Sequence, residues 1–352
     1  MSSPRHAGVF AIEPIDWVSA SDRDVAAYHR LDGAIERAAG MPEALVAPYP
    51  LFETYLRVGR PLIERRSWVI RDGEELAAVG RCAWEDVTAN RDHVALECAV
   101  RPDRQGEGLE RALLGVMVEA ACDDFSARIL DLEERLDDAL LAPWQALGFE
   151  VKLRTPRNVL WTRDLNRDLL GEWVARAQER ASDYELVRFD GPCPDDLLAE
   201  YLELRQVMNT APLEELDWDD EAYSAEQLRS LEAWDVRRRA TPWVVIARHV
   251  PSGELAGFTV LIETDLWPET AWQGDTGVLP AHRERGLGRW LKAVNALRLL
   301  DEWPAVETVT TWNAGSNKPM LGINYAMGYA ALEWWGELQA EAKSVRDLLA
   351  AT

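Results

Sequence analysis

The sequence lacks the cysteine and histidine patterns that form disulfide frameworks or metal sites. Its 352 residues include five histidines, with no HxxxH or HExxH motif, and four well-separated cysteines, Cys82, Cys98, Cys122 and Cys193. Cysteines without a CxxC pair are typical of reduced thiols in a cytoplasmic protein. We therefore expect a cytoplasmic protein that holds no metal ion.

Long apolar runs and positive charge are also scarce. No apolar run is long enough to span a membrane. The formal net charge is −23 and the isoelectric point is about 4.7. Because such a chain repels polyanions, neither nucleic acid nor an anionic membrane is expected as a general partner. A small anionic ligand stays possible, since it responds to local charge. The length predicts two or three domains.

The chain contains one internal repeat, offset by about 180 residues. Each copy has a Val-x-Pro strand end, a glycine turn and a helix, followed by a short helix that ends in glycine and an aromatic residue. These segments are 98–114 and 142–151 in the first copy, and 276–292 and 322–331 in the second. From Val100 to Gly148 is 48 residues, and from Val278 to Gly328 is 50. The similar spacing predicts two copies of one fold.

Strand patterns define the extent of the two copies. Apolar runs around a tight turn predict a β-hairpin over 67–84 in the first copy and over 243–263 in the second. We predict a first domain over 1–165, an amphipathic linker helix over 166–182 and a second domain over 183–352.

The stretch 282-HRERGLGRWLK-292 concentrates cations around a glycine turn at the start of a predicted helix. A helix N-terminus has unpaired N–H groups and the positive end of the dipole, and glycines let an anion approach the backbone closely. Four basic side chains add charge: Arg283, Arg285, Arg289 and Lys292. The pattern indicates a phosphate-bearing ligand, although an exposed basic helix face is the alternative. Without GxxxxGK[ST] or GxGxxG, neither a P-loop nor a Rossmann site is expected.

Taken together, these motifs resemble the GNAT superfamily of acyl-CoA-dependent N-acyltransferases. The resemblance covers both copies, and the string 311-TWNAGSNKPMLGINYAMGY-329 is similar to a bacterial subgroup with two such copies. It implies an α/β fold of two tandem GNAT-like domains, each a mixed, mostly antiparallel sheet flanked by helices. It also implies acetyl-CoA as co-substrate and a small-molecule amine as acceptor.

The resemblance assigns the cofactor site to the second copy. In the family, the glycine turn holds the pyrophosphate, and free N–H groups at the preceding strand end hold the pantetheine and polarise the thioester carbonyl. The cofactor-binding residues implied are Thr276, Gly277, Val278, Arg283, Glu284, Arg285, Gly286, Leu287, Gly288, Arg289, Asn313 and Asn317.

Three residues are candidates for the chemistry, which the resemblance implies is direct attack of an amine on the acyl carbon. Asn324 occupies the position where many family members have a tyrosine that protonates the leaving thiolate. An amide cannot act as that acid, so the acid is water, the adjacent Tyr325, or absent. Asp275 is the only ionisable side chain in 271–279, which makes it a candidate base. Its alternative role is a strand-end hydrogen bond.

The first copy departs from the family pattern. Its turn carries Glu107 and Glu110, and two carboxylates oppose pyrophosphate binding. Trp144 and Asp137 stand where the second copy has Asn324 and Asn317. We interpret the first copy as a degenerate domain that walls the substrate cleft.

The most favoured function is transfer of an acetyl group from acetyl-CoA to a primary amine of a small molecule. The acidic run 214–223, with Trp218 and Tyr223, would suit a cationic amine at the acceptor rim, or would be a solvated helix face. One alternative is a non-catalytic acyl-CoA-binding or interaction protein. Another is an acyltransferase of a specialised metabolite, such as an aminoglycoside or a thiol-sugar amine. A deep acidic pocket would favour a polyamine or an aminoglycoside. The oligomeric state stays open.

Overall fold

The computed structural model describes residues 10–85 and 89–351. A first run of elements comprises β1 (Ile12–Pro14), α1 (Asp22–Ala38), α2 (Tyr49–Val58), β2 (Ile63–Asp72), β3 (Glu75–Glu85), β4 (His93–Val100), α3 (Leu109–Asp123), β5 (Ile129–Arg135), α4 (Asp138–Gln145), β6 (Glu150–Trp161) and α5 (Arg167–Arg180). A second run comprises β7 (Tyr184–Asp190), α6 (Leu198–Arg205), α7 (Ala225–Arg237), β8 (Ala240–His249), β9 (Leu255–Thr264), β10 (Thr270–Val278), α8 (Leu287–Glu302), β11 (Thr308–Trp312), α9 (Lys318–Met327), β12 (Ala330–Glu341) and α10 (Ala342–Ala350). The two runs have the same order, as the internal repeat predicts, and the predicted hairpins are β2–β3 and β8–β9.

All strands of the described residues join in one 12-stranded sheet, in the order β1-β2-β3-β4-β5-β12-β6-β11-β10-β9-β8-β7. The sheet is mostly antiparallel, and the parallel pairs are β4–β5 and β10–β11. The predicted α/β class, with mixed and mostly antiparallel sheets flanked by helices, is confirmed. The two copies share a continuous sheet, however, because their central strands hydrogen-bond to each other.

The last strand of each copy completes the sheet of the other copy. β12 pairs with β5 of the first copy, with Leu338 opposite Leu132. β6 pairs with β11 of the second copy, with Leu160 opposite Val309. The strand order therefore has an approximate two-fold symmetry about the β12–β6 pair.

The helix that follows each exchanged strand also packs against the other copy. α5 contributes Leu170 and Trp173 to the core that contains Ala293 of α8. α10 contributes Val345 to the first-copy core that contains Met117 of α3. The predicted linker helix is thus a packed part of the second copy. The ranges 1–165 and 183–352 remain a prediction about the repeat, and neither range is a closed unit in space.

Local sequence explains several element boundaries. The Ser21 side chain caps α1 by accepting from the Asp24 N–H, and Ser224 and Gln227 form a capping box at the start of α7. The described helices include none that is long and apolar enough to cross a membrane. Within the same residues, no group of three or more histidine, cysteine, aspartate or glutamate side chains is arranged to hold a metal ion.

Candidate functional site

The glycine turn before α8 presents unpaired backbone donors. Gly286, the N-cap of α8, has φ 84°, in the left-handed region that favours glycine. Glu284 also has a positive φ, 66°. The Trp290 N–H donates to the Gly286 carbonyl at 3.1 Å, and among the described residues no acceptor takes the N–H groups of residues 287–289. Together with the helix dipole, these donors form a site suited to an anion.

The basic side chains of the turn have different surroundings. Arg283 donates from Nε to the Val278 carbonyl at 3.0 Å and from Nη2 to Thr210 Oγ1 at 2.8 Å. Arg285 lies 3.5 Å from the Asp183 carboxylate, and Arg289 lies over the Trp173 ring. All three arginines are exposed beside the turn, as expected of charges that face an anion.

Lys292 differs from the prediction that it adds charge at the turn. Its side chain is only 2% exposed, with Nζ 5.4 Å from the centre of the Tyr329 ring. Burial lowers the pKa of Lys292 to about 7. The correction follows from the packing of α8, which is buried from residue 290 to residue 296.

A gap opens between β10 and β11 next to the turn. The parallel pairing of these strands ends at Trp272 opposite Thr310, while β10 continues to Val278 along β9. Between Gln273 and Thr276 the β9–β10 register shifts by one residue, which marks a β-bulge at Gly274 and Asp275. The bulge lies just before the three strand-end residues predicted from the sequence.

Those strand-end residues present donors to the gap. Leu279 donates its N–H to Ala256 of β9, so strand alternation turns the N–H groups of Val278 and Thr276 away from β9 and towards the gap. Gly277 lies between them in close contact with the 206–210 segment, where an added Cβ would approach Val207 Cγ1 to 2.3 Å. The segment therefore fixes β10 at the gap and requires glycine there.

Two of the three asparagines predicted from the sequence are hydrogen-bonded to each other, and the third caps α9. Asn324 is fully buried, and its Nδ2 donates to Asn313 Oδ1 at 2.7 Å. Its Oδ1 is buried without a hydrogen-bond partner. Asn317 caps α9 by accepting from the Met320 N–H. Tyr325 is 45% exposed, because one residue along a helix rotates the side chain by about 100° away from the Asn324 direction.

Asp275 lies at the wall of a cavity of about 440 Å³ on the α6–α7 side of the sheet. Its carboxylate is 3.6 Å from Arg205 Nη2 and accepts no hydrogen bond from the described residues. Gly274 also lines the cavity, so the cavity reaches the bulge. Two more lining residues, Tyr55 and Arg60, come from the first copy. Neither belongs to a motif that would have identified it from sequence.

The acidic run 214–223 does not line this cavity. Instead, the Asp217 N–H donates to Gln339 Oε1, and the Asp217 carboxylate accepts from Arg128 at 2.8 Å. The Asp219 N–H donates to Asn90 of the first copy. The run is thus held against β12 and the first copy. Its last residue, Tyr223, reaches Arg205 at the cavity wall, with its ring centre 5.6 Å from the guanidinium carbon, so the acceptor-rim role stays a prediction.

The first copy shares the turn geometry of the second copy but lacks its bulge and its buried asparagine. Its glycine turn has similar backbone angles, with φ 75° at Gly106 and 87° at Gly108. However, β4 pairs with β3 without a register shift, so no bulge is present. Arg104 is held by Glu107 and Asp72, and Trp144 fills the core at the position of Asn324. These differences support the interpretation of the first copy as degenerate.

Comparisons with known proteins agree with the fold. Residues 207–319 match the model of the acetyltransferase (GNAT) family. A tandem GNAT protein from the clavulanic acid biosynthesis pathway has a similar structure, with a TM-score of 0.76 and 24% identity, over 95% of this chain and 98% of that one. A GCN5-related N-acetyltransferase from Sphaerobacter thermophilus matches with a TM-score of 0.65 and 16% identity, over 94% and 96% of the two chains. Among curated proteins, no match was found.

The chain thus has the tandem GNAT superfamily fold. Its second copy contains the stretch that matches the acetyltransferase (GNAT) family. The predicted resemblance is confirmed at the level of fold.

Proposed function

We propose that the protein is an acetyl-CoA-dependent N-acetyltransferase with one working site, in the second copy, that acts on a primary amine of a small molecule. The observation that carries the proposal is the difference between the copies at equivalent positions. Both glycine turns have free N–H groups, but among the described residues only the second copy adds a bulged strand, β10, and a buried, unpartnered Asn324 Oδ1. In the first copy the strand is regular and the turn is acidic.

The residues at the gap fit the parts of an acyl-CoA molecule. The α8 N-terminus with Arg283, Arg285 and Arg289 would hold the pyrophosphate. The N–H groups that Thr276 and Val278 direct into the gap, and the Oδ1 atom of Asn324, would pair with polar atoms of the pantetheine arm. A buried acceptor without a partner destabilises the free protein, so a ligand that donates to it is favoured. Asn313 would position Asn324 through their hydrogen bond.

Bound acetyl-CoA supplies an activated acyl group, and the protein supplies position and electrostatics. The Thr276 and Val278 N–H groups would donate to the oxygen on which negative charge develops. Asp275, at the cavity wall beside the bulge, would receive the amine proton directly or through a water molecule. Asn324 lacks a proton to give, and Tyr325 points away from it, so water protonates the leaving thiolate in this proposal.

A second candidate function is acyl-CoA binding without turnover. It is favoured by the amide of Asn324 at the position of the usual acid. A third candidate keeps the enzyme but uses a specialised metabolite, such as an aminoglycoside or a thiol-sugar amine, as acceptor. The similar structure from the clavulanic acid pathway is only 24% identical to this chain. Such a similarity supports a shared fold and does not identify the acceptor.

The test is Gly288→Glu, which copies Glu110 of the first copy into the second. Gly288 is the second residue of α8, where an added Cβ meets only Ile323 Cδ1, at 3.4 Å, and where a carboxylate favours the helix. The variant should therefore fold, and the charge should oppose the pyrophosphate. By calorimetry we expect one acetyl-CoA per wild-type chain and at least tenfold weaker binding by Gly288→Glu.

The matched control is Glu110→Ala, which removes the carboxylate from the equivalent first-copy position and should leave binding unchanged. Thiol release with a panel of amines then separates turnover from binding alone. Binding without thiol release on any amine would favour the non-catalytic candidate. The proposal fails if the folded wild-type protein does not bind acetyl-CoA, or if Glu110→Ala weakens binding as much as Gly288→Glu.

A further inference from the structure

The cavity beside Asp275 has a charge balance unlike that of the whole chain. Three carboxylates line it, Glu232, Asp235 and Asp275, and so do three guanidinium groups, Arg60, Arg205 and Arg238. The formal sum is zero, in a chain of net charge −23. A polycationic acceptor would meet three arginines there, so the deep acidic pocket that would favour a polyamine or an aminoglycoside is not what lines this cavity.

The three carboxylates of the cavity differ in the hydrogen bonds that they accept from the protein. Asp235 accepts from Arg238 Nε at 2.9 Å and from Nη2 at 2.7 Å. Glu232 accepts from Arg229 at 2.6 Å and from the Cys193 N–H at 2.7 Å. These two carboxylates are thus hydrogen-bonded within the protein. Asp275 faces Arg205 at 3.6 Å without a hydrogen bond, so its oxygens can still accept one from a ligand.

Two of the arginines have unused donors. The nearest carboxylate to Arg60 is Glu85, at 3.6 Å, and the nearest to Arg205 is Asp275, also at 3.6 Å. Both contacts are ion pairs longer than a hydrogen bond, and the Arg205 guanidinium also lies 5.6 Å from the centre of the Tyr223 ring. Neither guanidinium donates a hydrogen bond to any described residue. A guanidinium has five N–H donors and matches a carboxylate with two parallel bonds. The indole N–H of Trp234, another lining residue, is buried without an acceptor.

We propose that the acceptor is an amino acid with an apolar or aromatic body, held by its carboxylate on Arg60 and Arg205 with its amine at Asp275. This inference rests on the proposed function, since it identifies the acceptor class of that same site. Aromatic side chains, among them Tyr55, Tyr201 and Trp272, line the cavity and would enclose the body of the ligand. Arg60 makes the first copy a part of the acceptor site.

The test uses three probes that share one body: tyrosine, tyrosine methyl ester and tyramine. The amine is present in all three, but only tyrosine has a carboxylate. Binding is measured by calorimetry with and without acetyl-CoA, and turnover is measured by thiol release. We expect tyrosine to bind, and to be turned over, about ten- to a hundredfold better than the other two probes. This is the effect of losing a charge-assisted bidentate pair.

Two variants locate the preference. Arg60→Gln and Arg205→Gln should each raise the KM for tyrosine at least tenfold. Arg60→Gln, whose arginine pairs with Glu85 and not with Asp275, should also leave the KM for tyramine within about twofold. Arg66→Gln is the matched control, because Arg66 lies on β2 outside the cavity and pairs with Glu64. A merely structural role of Arg60 would instead weaken all three probes equally, which would overturn the assignment.

The outcomes separate this inference from the proposed function. If tyramine or the ester is turned over with the same kcat/KM as tyrosine, the amino-acid inference is overturned and the acetyltransferase still stands. Arginine-dependent tyrosine binding without acetyl-CoA binding would do the reverse. Tryptophan and phenylalanine can also be compared with the amines that lack their carboxylates. A preference for those amino acids over their amines, in place of a preference for tyrosine, would still support the carboxylate inference. The absence of all binding would overturn both proposals.

Discussion

Leu338→Ala tests the strand exchange, because this residue belongs by sequence to the second copy and by packing to the first. Leu338 is fully buried on β12, opposite Leu132 of β5, in the core that contains Met117 of α3. Truncating a buried leucine to alanine costs about 2–5 kcal/mol, from lost transfer energy and the cavity left behind. That is a large share of a typical domain stability of about 5–15 kcal/mol. The cost should appear mainly in the first copy.

The assay is amide hydrogen exchange, read by mass spectrometry of peptides from each copy. We expect Leu338→Ala to increase exchange in α3 and β5 before α8 and β10 respond, since local opening follows the weakened core. The matched control is Leu291→Ala, also fully buried but on α8 in a second-copy core. It should show the opposite order. If Leu338→Ala loosens α8 and β10 first, the exchanged topology is refuted.

Three further substitutions test single positions. Glu284→Gly should raise the unfolding temperature and retain acetyl-CoA binding. Glycine removes the strain of a left-handed φ of 66°, and after subtraction of its larger loss of chain entropy on folding the net gain is about 0.5–1 kcal/mol. A lower unfolding temperature would contradict this. Lys292→Met should stabilise the protein by roughly 2 kcal/mol or more at pH 7 in urea unfolding. Since burial lowers the pKa of Lys292 from 10.5 to about 7, wild-type stability should rise with pH across that window, and the variant should lose this rise. Glu337→Gln should be about 1 kcal/mol more stable than wild type at pH 8 and not at pH 4. Burial, then the charges of Glu133 and Asp131, raises the pKa of Glu337 from 4.5 to about 7, so its ionisation destabilises the fold as pH rises through that range; equal effects at both pH values would contradict this cause.

Much of the fold was predictable because its signals are local. The glycine turns at Gly108 and Gly286 do adopt left-handed backbone angles at helix N-caps. The hairpins turn where tight-turn residues interrupt apolar runs. The strand end at Thr276, Gly277 and Val278 borders the gap, since its position follows from the motif that precedes the turn.

Other parts of the site depended on contacts between residues far apart in the chain. The sequence placed Lys292 with the arginines of the turn, but α8 turns it into the interior. The acidic run 214–223 suggested an acceptor rim, and its position depends on distant contacts: backbone hydrogen bonds of Asp217 to Gln339 and of Asp219 to Asn90 hold the run. Arg60 carries no motif, and only the contact between the copies brings it to the cavity.

By itself, the sequence determined the repeated order of elements, the glycine turn before α8 and the acidic side chains that the equivalent first-copy turn carries. Each of these depends on backbone angles and charges within a few residues of each other. Only the tertiary structure decided that β6 and β12 exchange places and that Arg60 and Asp275 share one cavity. The reason is physical: an identical repeat pattern allows each last strand to pair within its own copy or with the other. The choice is made by side-chain packing across the whole sheet.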